Sequence, residues 1–365
     1  MGKICAENER LKYIYASYLR DAKGREQATI DSALRALSRF EASTNVRPFG
    51  TFRIEQARKF RADLLEAVGP KGEPLSAATI TATLNQVREF LLWLWREPGY
   101  RSKINPNDVA HFTPSERDRR IATARRESWV PGVEDIKRVV AGMSSETATE
   151  KRDRALIAFS LVSGARDGAL RTFRLKHIDV GARSVFHDAR EVATKGGKTF
   201  TSFFFPVGDE LVRIVEDYFA FLRDELFFGL DDPLFPKTKM AQGADRGFRA
   251  DGLAREPWAS TEPIRRIFRP AFRSAGLPYV NPHAFRKTLA RLGEQLCQTP
   301  EQWKAWSQNL GHESESTTFV GYGVVPLPRQ ATLISAVARQ AVDEPFDLAS
   351  ELDSLLQKAR GAAAT

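Results

Sequence analysis

The sequence predicts a mainly α fold with a small antiparallel β-hairpin or sheet, arranged as an N-terminal helical bundle followed by a mixed α/β domain. Three observations carry that expectation. Apolar residues recur at helical spacing through much of the first hundred residues. A β-prone stretch interrupted by a Gly-Gly pair occurs between residues 184 and 205. Helical spacing then returns and continues towards the C-terminal end. With 365 residues, 42% hydrophobic and 28% charged, the chain is long enough for two cores and too apolar for wholesale disorder.

Three stripes define the bundle. Ile30, Ala33, Leu34, Leu37 and Phe40 form the first, and Ile54, Ala57, Phe60, Leu64 and Leu65 the second. Ile80, Leu84, Val87, Leu91 and Leu94 form the third. It runs into Trp93 and Trp95, which read as core rather than as a stacking platform. A turn-rich run over residues 69–74 separates the second stripe from the third, and Ser76 is the N-cap expected for the third.

The bundle domain is expected over residues 1–112, because the pattern stops over 113–130. Arg117, Arg119, Arg120, Arg125 and Arg126 concentrate in that stretch. Two readings stand: a solvated linker, or a basic strap along a phosphate backbone, where each neutralised phosphate releases counterions.

The second domain is expected over residues 131–330. It opens with helices over 133–143 and 154–162, the latter stopping at Ser163-Gly164. β segments are expected at 184–186, 191–194 and 199–205, with Lys195-Gly196-Gly197-Lys198 as the hairpin turn. A helix over 209–226 places Leu211, Ile214, Val215, Tyr218, Phe221 and Leu222 on one face. Residues 243–257 read as a polar surface loop. Helices follow over 262–275, 282–297, 300–309 and 316–322, and residues 331–365 form a helical tail.

Lys and Arg number 55 against 46 Asp and Glu, a net charge of +9 that favours a polyanionic partner without establishing one. Cys5 and Cys297 are too few and too far apart for a disulfide framework or a zinc cage, which points to a reducing compartment. No apolar run approaches the ~20 residues of a membrane span, and the first residues lack a signal-peptide pattern. A cytoplasmic protein without membrane contact is the expectation.

Among five histidines, His111, His177 and His187 have no distinguishing context. His283 does. Asn281-Pro282 is a helix start, with Asn as N-cap and Pro at the first helical position. His283 and Arg286 then share one face of the first turn with free N–H groups and the positive end of the helix dipole. That set matches a phosphate; the alternative is a solvent-facing turn whose Arg pairs with a carboxylate. Thr299 and Gln302 form a capping box for the next helix. It ends at Leu310-Gly311-His312, with Gly311 as the left-handed residue past its end. Tyr322 follows, flanked by Gly321 and Gly323, which permit close backbone approach.

Four segments in this order resemble the tyrosine recombinases, or phage integrases. Ser163-Gly164-Ala165-Arg166 is similar to the segment carrying the family's first catalytic arginine, and Thr194-Lys195-Gly196-Gly197-Lys198 to the hairpin carrying its lysine. His283-Ala284-Phe285-Arg286 matches the family's His-x-x-Arg box. Leu310-Gly311-His312, with Thr317-Thr318 and Tyr322, resembles the closing histidine and nucleophile segment. The bundle is similar to the family's core-binding domain. Ala169 departs from the pattern, standing where the family often has an acid, and Lys287 stands where a His often follows the box arginine. The interval from His312 to Tyr322 is one residue longer than the commonest pattern.

The resemblance implies a site-specific DNA recombinase or integrase that cuts and rejoins strands through a covalent 3′-phosphotyrosine. Arg166 and Arg286 would clamp the non-bridging phosphate oxygens. Tyr322 would attack, and His283 would accept its proton. Lys195, or alternatively Lys198, would protonate the leaving 5′-hydroxyl, and His312 would hydrogen-bond the phosphate. No metal and no nucleotide cofactor are expected, since the sequence shows neither metal-ligand spacing nor a Walker-type loop. The implied partners are double-stranded DNA and further copies of the chain, in a tetramer on two DNA sites, with the tail engaging a neighbour. A topoisomerase-IB-like strand-passing enzyme and a catalytically silent DNA-binding protein remain as alternatives. The six retained side chains weigh against the silent binder, and the two-domain layout with its basic linker weighs mildly against the topoisomerase.

Overall fold

Apolar helix faces turned towards one another build the N-terminal unit. The computed structural model describes residues 4–69, 72–123, 129–242 and 247–312, and the chain divides into two units between Arg126 and Glu127. The first unit contains α1 (Ala6–Ser17), α2 (Gln27–Ser43), α3 (Ile54–Glu66), α4 (Ala77–Arg96), the short α5 (Pro106–Val109) and α6 (Glu116–Thr123). The three sequence stripes turn inward, with Leu37, Phe40, Ala57, Phe60, Val87 and Leu91 buried, except that Leu65 at the end of the second faces solvent. Phe40 meets Phe60 and Phe112 edge-on, at 5.2 and 5.5 Å between ring centroids, the arrangement the ring quadrupole favours. Trp93 is buried 4.9 Å from Tyr15. Ser76 caps α4, its hydroxyl accepting from the Thr79 N–H at 3.1 Å.

α1 carries no apolar stripe strong enough to announce it. Beyond Leu11 and Tyr15, a buried polar residue holds it. The Asn8 amide donates to Glu41 Oε1 (2.8 Å) and to the Arg47 carbonyl (2.9 Å), and accepts from the Phe49 N–H (2.9 Å). A polar group this deeply buried is tolerated because both its donors and its acceptor are satisfied. Residues 116–123, within the stretch where the apolar pattern stops, are helical. Ser115 Oγ accepts from the Asp118 N–H at 3.1 Å, and Asp118 pairs with Arg61. Arg117, Arg119 and Arg120 sit exposed on α6, Arg120 pairing with Glu116 one turn back at 2.7 Å. Arg125 and Arg126 lie outside the described residues.

The second unit contains α7 (Val133–Ala141), α8 (Ala148–Ser163), α9 (Asp167–Thr172), β1 (Ile178–Asp179), β2 (Ser184–His187), β3 (Phe200–Phe203) and α10 (Asp209–Ala220). β4 (Pro236–Gln242), β5 (Phe248–Pro257), α11 (Glu262–Ser274), α12 (His283–Leu296) and α13 (Pro300–Asn309) follow. Residues 155–163 of α8 are all buried, so this helix is the axis of the domain rather than an amphipathic surface element. It stops at Gly164, whose φ is 61°. A Cβ there would stand 2.9 Å from Leu289 Cδ1, so both backbone conformation and space require glycine.

Strands β1, β2 and β3 form an antiparallel sheet in that order, with Val185 opposite Ser202 and His187 opposite Phe200. Two sequence expectations fail in this unit. Residues 191–194 are not a strand; they belong to the connection between β2 and β3. The N–H groups of Glu191 and Val192 both turn back onto the Asp188 carbonyl, at 3.0 and 2.7 Å. Nor is the expected surface loop over 243–257 found in its described part, because Phe248–Pro257 is a strand paired antiparallel with β4. Most residues of this ribbon lie at least partly open to solvent, so no period-two alternation marks it. Ladder bonds and the ion pairs Lys237–Glu256 (2.9 Å) and Lys239–Asp251 (3.2 Å) hold it instead. The expected helix over 316–322, Tyr322 and the tail over 331–365 lie outside the described residues.

Candidate active site

Local capping sets the position of the key arginine. Asn281 Oδ1 accepts from the Ala284 N–H at 3.2 Å, and α12 starts at His283, one residue later than the Asn-Pro pair predicts, with Pro282 preceding it. One turn in, Arg286 is 6% exposed and faces the interior. Its guanidinium donates to the carbonyls of Gly164 and Leu310, and to His312 Nε2 at 2.9 Å. These bonds tie together the ends of α8, α12 and α13, three segments remote in sequence. Arginine is an obligate donor, so Nε2 of His312 accepts and its neutral ring carries the proton on Nδ1.

Arg166 caps α9 and is half-buried. Burial alone lowers its pKa, with no carboxylate opposing. Ala169 supplies no acid, and Asp167 reaches Arg265 at 3.6 Å. Among the described residues Arg166 therefore has no carboxylate partner. A half-buried guanidinium in that state favours an anion beside it.

The two histidines named above lie in the field of these cations. Burial, then Arg286, Arg166, Lys198 and His283, depress the His312 pKa to about 4. Burial, then Arg286, Lys287 and Arg166, also lower that of His283, while Asp167 opposes them. Both imidazoles are neutral at pH 7. Lys195 stands exposed on the β2–β3 connection and lines a small pocket with Gly164, Arg166, His187, Phe200 and Arg286. Lys198, on the same connection, is half-buried and acts electrostatically on His312.

His187 belongs to this pocket although nothing in its sequence context marks it. Its ring stacks on Phe200, with 4.1 Å between centroids and 7° between planes. Its Nε2 meets Ser202 Oγ at 2.9 Å. Burial first, then Arg286 and Arg166, lower its pKa to about 3. It thus forms a neutral back wall that adds no competing charge beside the arginines. Its signal was cross-strand register, His187 opposite Phe200, which needs a correct β2–β3 pairing before it can be seen.

Phe200 also supports the turn that carries His312. Gly311 has a φ of 68°, and a Cβ on it would stand 2.6 Å from Phe200 Cζ. Gly311→Ala should destabilise the protein by about 2 kcal/mol, combining left-handed strain with overpacking. Adding Phe200→Ala should relieve the clash but not the strain, giving a non-additive cycle in urea melts. Strict additivity would mean that Phe200 does not support the turn.

Chemically, two guanidinium groups and Lys195 line one pocket, with the His312 imidazole bonded to Arg286 beside it. Such a site can neutralise a tetrahedral oxyanion and move a proton at neutral pH. Among the described residues no group of His, Cys, Asp and Glu could hold a metal ion.

Comparison with known proteins gives three kinds of match. Residues 133–324 match the model described as the phage integrase family. A protein of Sinorhizobium fredii named as an integrase/recombinase, y4rF, is 25% identical over 319 residues. The match takes in 83% of this chain but only 64% of that protein's length. Among solved structures, a λ integrase dimer bound to a COC′ core site is similar at a TM-score of 0.58 and 15% identity, over 87% of this chain and 94% of that one. The Tn1549 transposon integrase in complex with transposon right-end DNA gives 0.52 and 14%, over 90% and 99%. A λ integrase tetramer bound to a Holliday junction gives 0.57 and 16%, over 85% and 77%. These structural likenesses concern the fold, which is mainly α with small antiparallel sheets. No helix among the described residues is long and apolar enough to cross a membrane.

Proposed function

The chain belongs to the phage integrase family, and from that membership we propose that it is a site-specific DNA recombinase, or integrase, working through a covalent 3′-phosphotyrosine. One observation carries the reading. Arg166, Lys195 and Arg286 come from separate segments and line one pocket, His312 is hydrogen-bonded to Arg286 beside it, and His283 stands three residues before Arg286 on α12. Tyr322, outside the described residues, falls within the span 133–324 matched to the family.

A DNA phosphodiester resists attack because its own negative charge repels a nucleophile. Arg166 and Arg286 neutralise the two non-bridging oxygens, with His312 adding a hydrogen bond. The Tyr322 hydroxyl, with an ordinary pKa of ~10, gives its proton to neutral His283 as its oxygen bonds to phosphorus. The bond from phosphorus to the 5′-oxygen breaks, and Lys195 or Lys198 protonates that oxygen. A 5′-hydroxyl from another strand then attacks phosphorus and releases the tyrosine. One phosphodiester is exchanged for another, so no external energy source enters.

The same reading assigns residues 1–112 to a core-binding domain and gives Arg117, Arg119, Arg120, Arg125 and Arg126 backbone contacts on double-stranded DNA. It places four copies on two DNA sites, the tail over 331–365 engaging a neighbour, with the work done in the cytoplasm. The test is adduct formation. Purified protein incubated with nicked duplexes drawn from the DNA flanking its gene should leave a protein–DNA complex that survives SDS, linked at the 3′-phosphate. A 5′-linked complex, or none on any flanking duplex, overturns the proposal. Relaxation of supercoiled DNA without site preference would favour the topoisomerase-like alternative.

A further inference from the structure

The proposed chemistry needs a lysine from the β2–β3 connection, and the fold must hold that lysine in place. The connection runs over residues 188–199, and its first half is tied to the body of the domain. The Val192 side chain is buried. The Ala193 N–H donates to Thr172 Oγ1 at 2.9 Å, at the C-terminal end of α9. Gly168 lets the two segments come together, since a Cβ on it would stand 3.3 Å from the Ala193 carbonyl oxygen. Glu191 supplies the charged tie. Lys176 Nζ stands 2.8 Å from its carboxylate and also 2.8 Å from Asp231.

A half-exposed Lys–Glu pair alone contributes little, but His177 adds a buried partner. Its Nδ1 accepts from the Arg174 N–H at 2.9 Å, so the neutral ring carries its proton on Nε2. Nε2 is buried and lies 3.2 Å from Glu191 Oε2. Burial first, with Glu191 opposing, lowers the pKa of this ring, which is therefore neutral at pH 7. A buried N–H needs an acceptor, and the Glu191 carboxylate faces it. Held by Lys176 and His177 together, that carboxylate is fixed in direction.

The consequence falls on the residues that follow. Ala193, Thr194 and Lys195 line the pocket with Arg166 and Arg286. Arg166 caps the N-terminal end of α9, the helix whose other end holds Ala193. Lys195 and Arg166 thus take their places from one helix. Lys198 is separated from the tied arm by Gly196 and Gly197, where a Cβ would meet nothing within 4 Å.

We propose that Glu191 is a positioning residue for the proton donor of the reaction: gripped by Lys176 and His177, it holds residues 188–194 against α9 and sets Lys195 at the pocket. This inference rests on the recombinase reading and deepens it by choosing Lys195 over Lys198. When the bond from phosphorus to the 5′-oxygen breaks, the electron pair goes to oxygen and the Lys195 ammonium supplies the proton. Sulfur in place of that oxygen removes the need, because a thiol with a pKa of ~8.5 leaves readily as thiolate.

The experiment compares adduct formation by the full chain on two nicked flanking duplexes that differ only in this bridging atom. Glu191→Ala should slow cleavage of the ordinary duplex about tenfold, yet cleave the sulfur-bridged one within about twofold of wild type. Lys195→Ala should show the same pattern with a larger loss, about 10²-fold or more. Adding Glu191→Ala to Lys195→Ala should slow the ordinary duplex no further, since both act through one ammonium. The sulfur duplex doubles as the folding control, because a misfolded pocket loses both substrates. Equal slowing by Glu191→Ala on both duplexes, or no slowing on either, overturns the inference while the recombinase reading stands. So does a Lys195→Ala variant that cleaves the ordinary duplex at the wild-type rate. If wild type forms no adduct on any flanking duplex, that reading falls and takes this one with it.

Discussion

Tyr322→Phe should bind duplex DNA within about twofold of wild type and form no covalent adduct, a loss on the order of 10⁴-fold or more. Affinity for DNA comes chiefly from cations meeting phosphates, and removal of one phenolic oxygen changes none of them. Adduct formation needs that oxygen, because a phenyl ring offers no atom that can bond to phosphorus. Fluorescence anisotropy reads the first quantity and SDS gels the second. An adduct that persists would identify a different nucleophile, and a parallel loss of binding would make Tyr322 a structural residue. The wild-type pH dependence is a companion check. The pKa of His283 lies below its ordinary 6.5, so the neutral, proton-accepting form dominates at pH 7. As pH falls through that lowered value the ring becomes protonated and the adduct rate declines; above it the base stays available.

What the sequence made legible is local. Asn281-Pro282 and the Thr299–Gln302 box announce helix starts through side-chain-to-backbone bonds a few residues long, and both form. Gly164 and Gly311 announce helix ends because glycine takes the left-handed φ of 61° and 68° found there without strain. What stayed hidden depends on contacts made only after folding. The β4–β5 ribbon leaves no alternation because most of it lies open to water. The place of α1 depends on Asn8 finding Glu41 and the segment from Arg47 to Phe49. His187 becomes informative only once it pairs with Phe200 across the sheet. The absence of an acid at Ala169 was visible, but Asp167 turning to Arg265 rather than to Arg166 was not.

The two arginines of the pocket should separate in stability while agreeing in catalysis. Arg286 is both a proposed phosphate ligand and a structural tie. Arg286→Ala would leave the carbonyls of Gly164 and Leu310 without their donor, as well as His312 Nε2. An unmet buried polar group costs about 1–3 kcal/mol, so this variant should lose several kcal/mol in urea melts. Arg166→Ala breaks no ion pair among the described residues and relieves a desolvated charge, so its stability should stay within about 0.5 kcal/mol of wild type. Each loss removes a cationic donor from the developing charge on phosphorus, and each should slow adduct formation by about 10²–10³-fold. Arg286→Lys isolates the role of the planar fork. One ammonium cannot reproduce the fork's fixed geometry, so this variant should melt between wild type and Arg286→Ala, yet cleave almost as poorly as the alanine variant. If Arg166→Ala melts as early as Arg286→Ala, then Arg166 holds the fold and the division of labour proposed for the pair is wrong. If Arg286→Lys cleaves at the wild-type rate, charge alone suffices and the fork has no catalytic role.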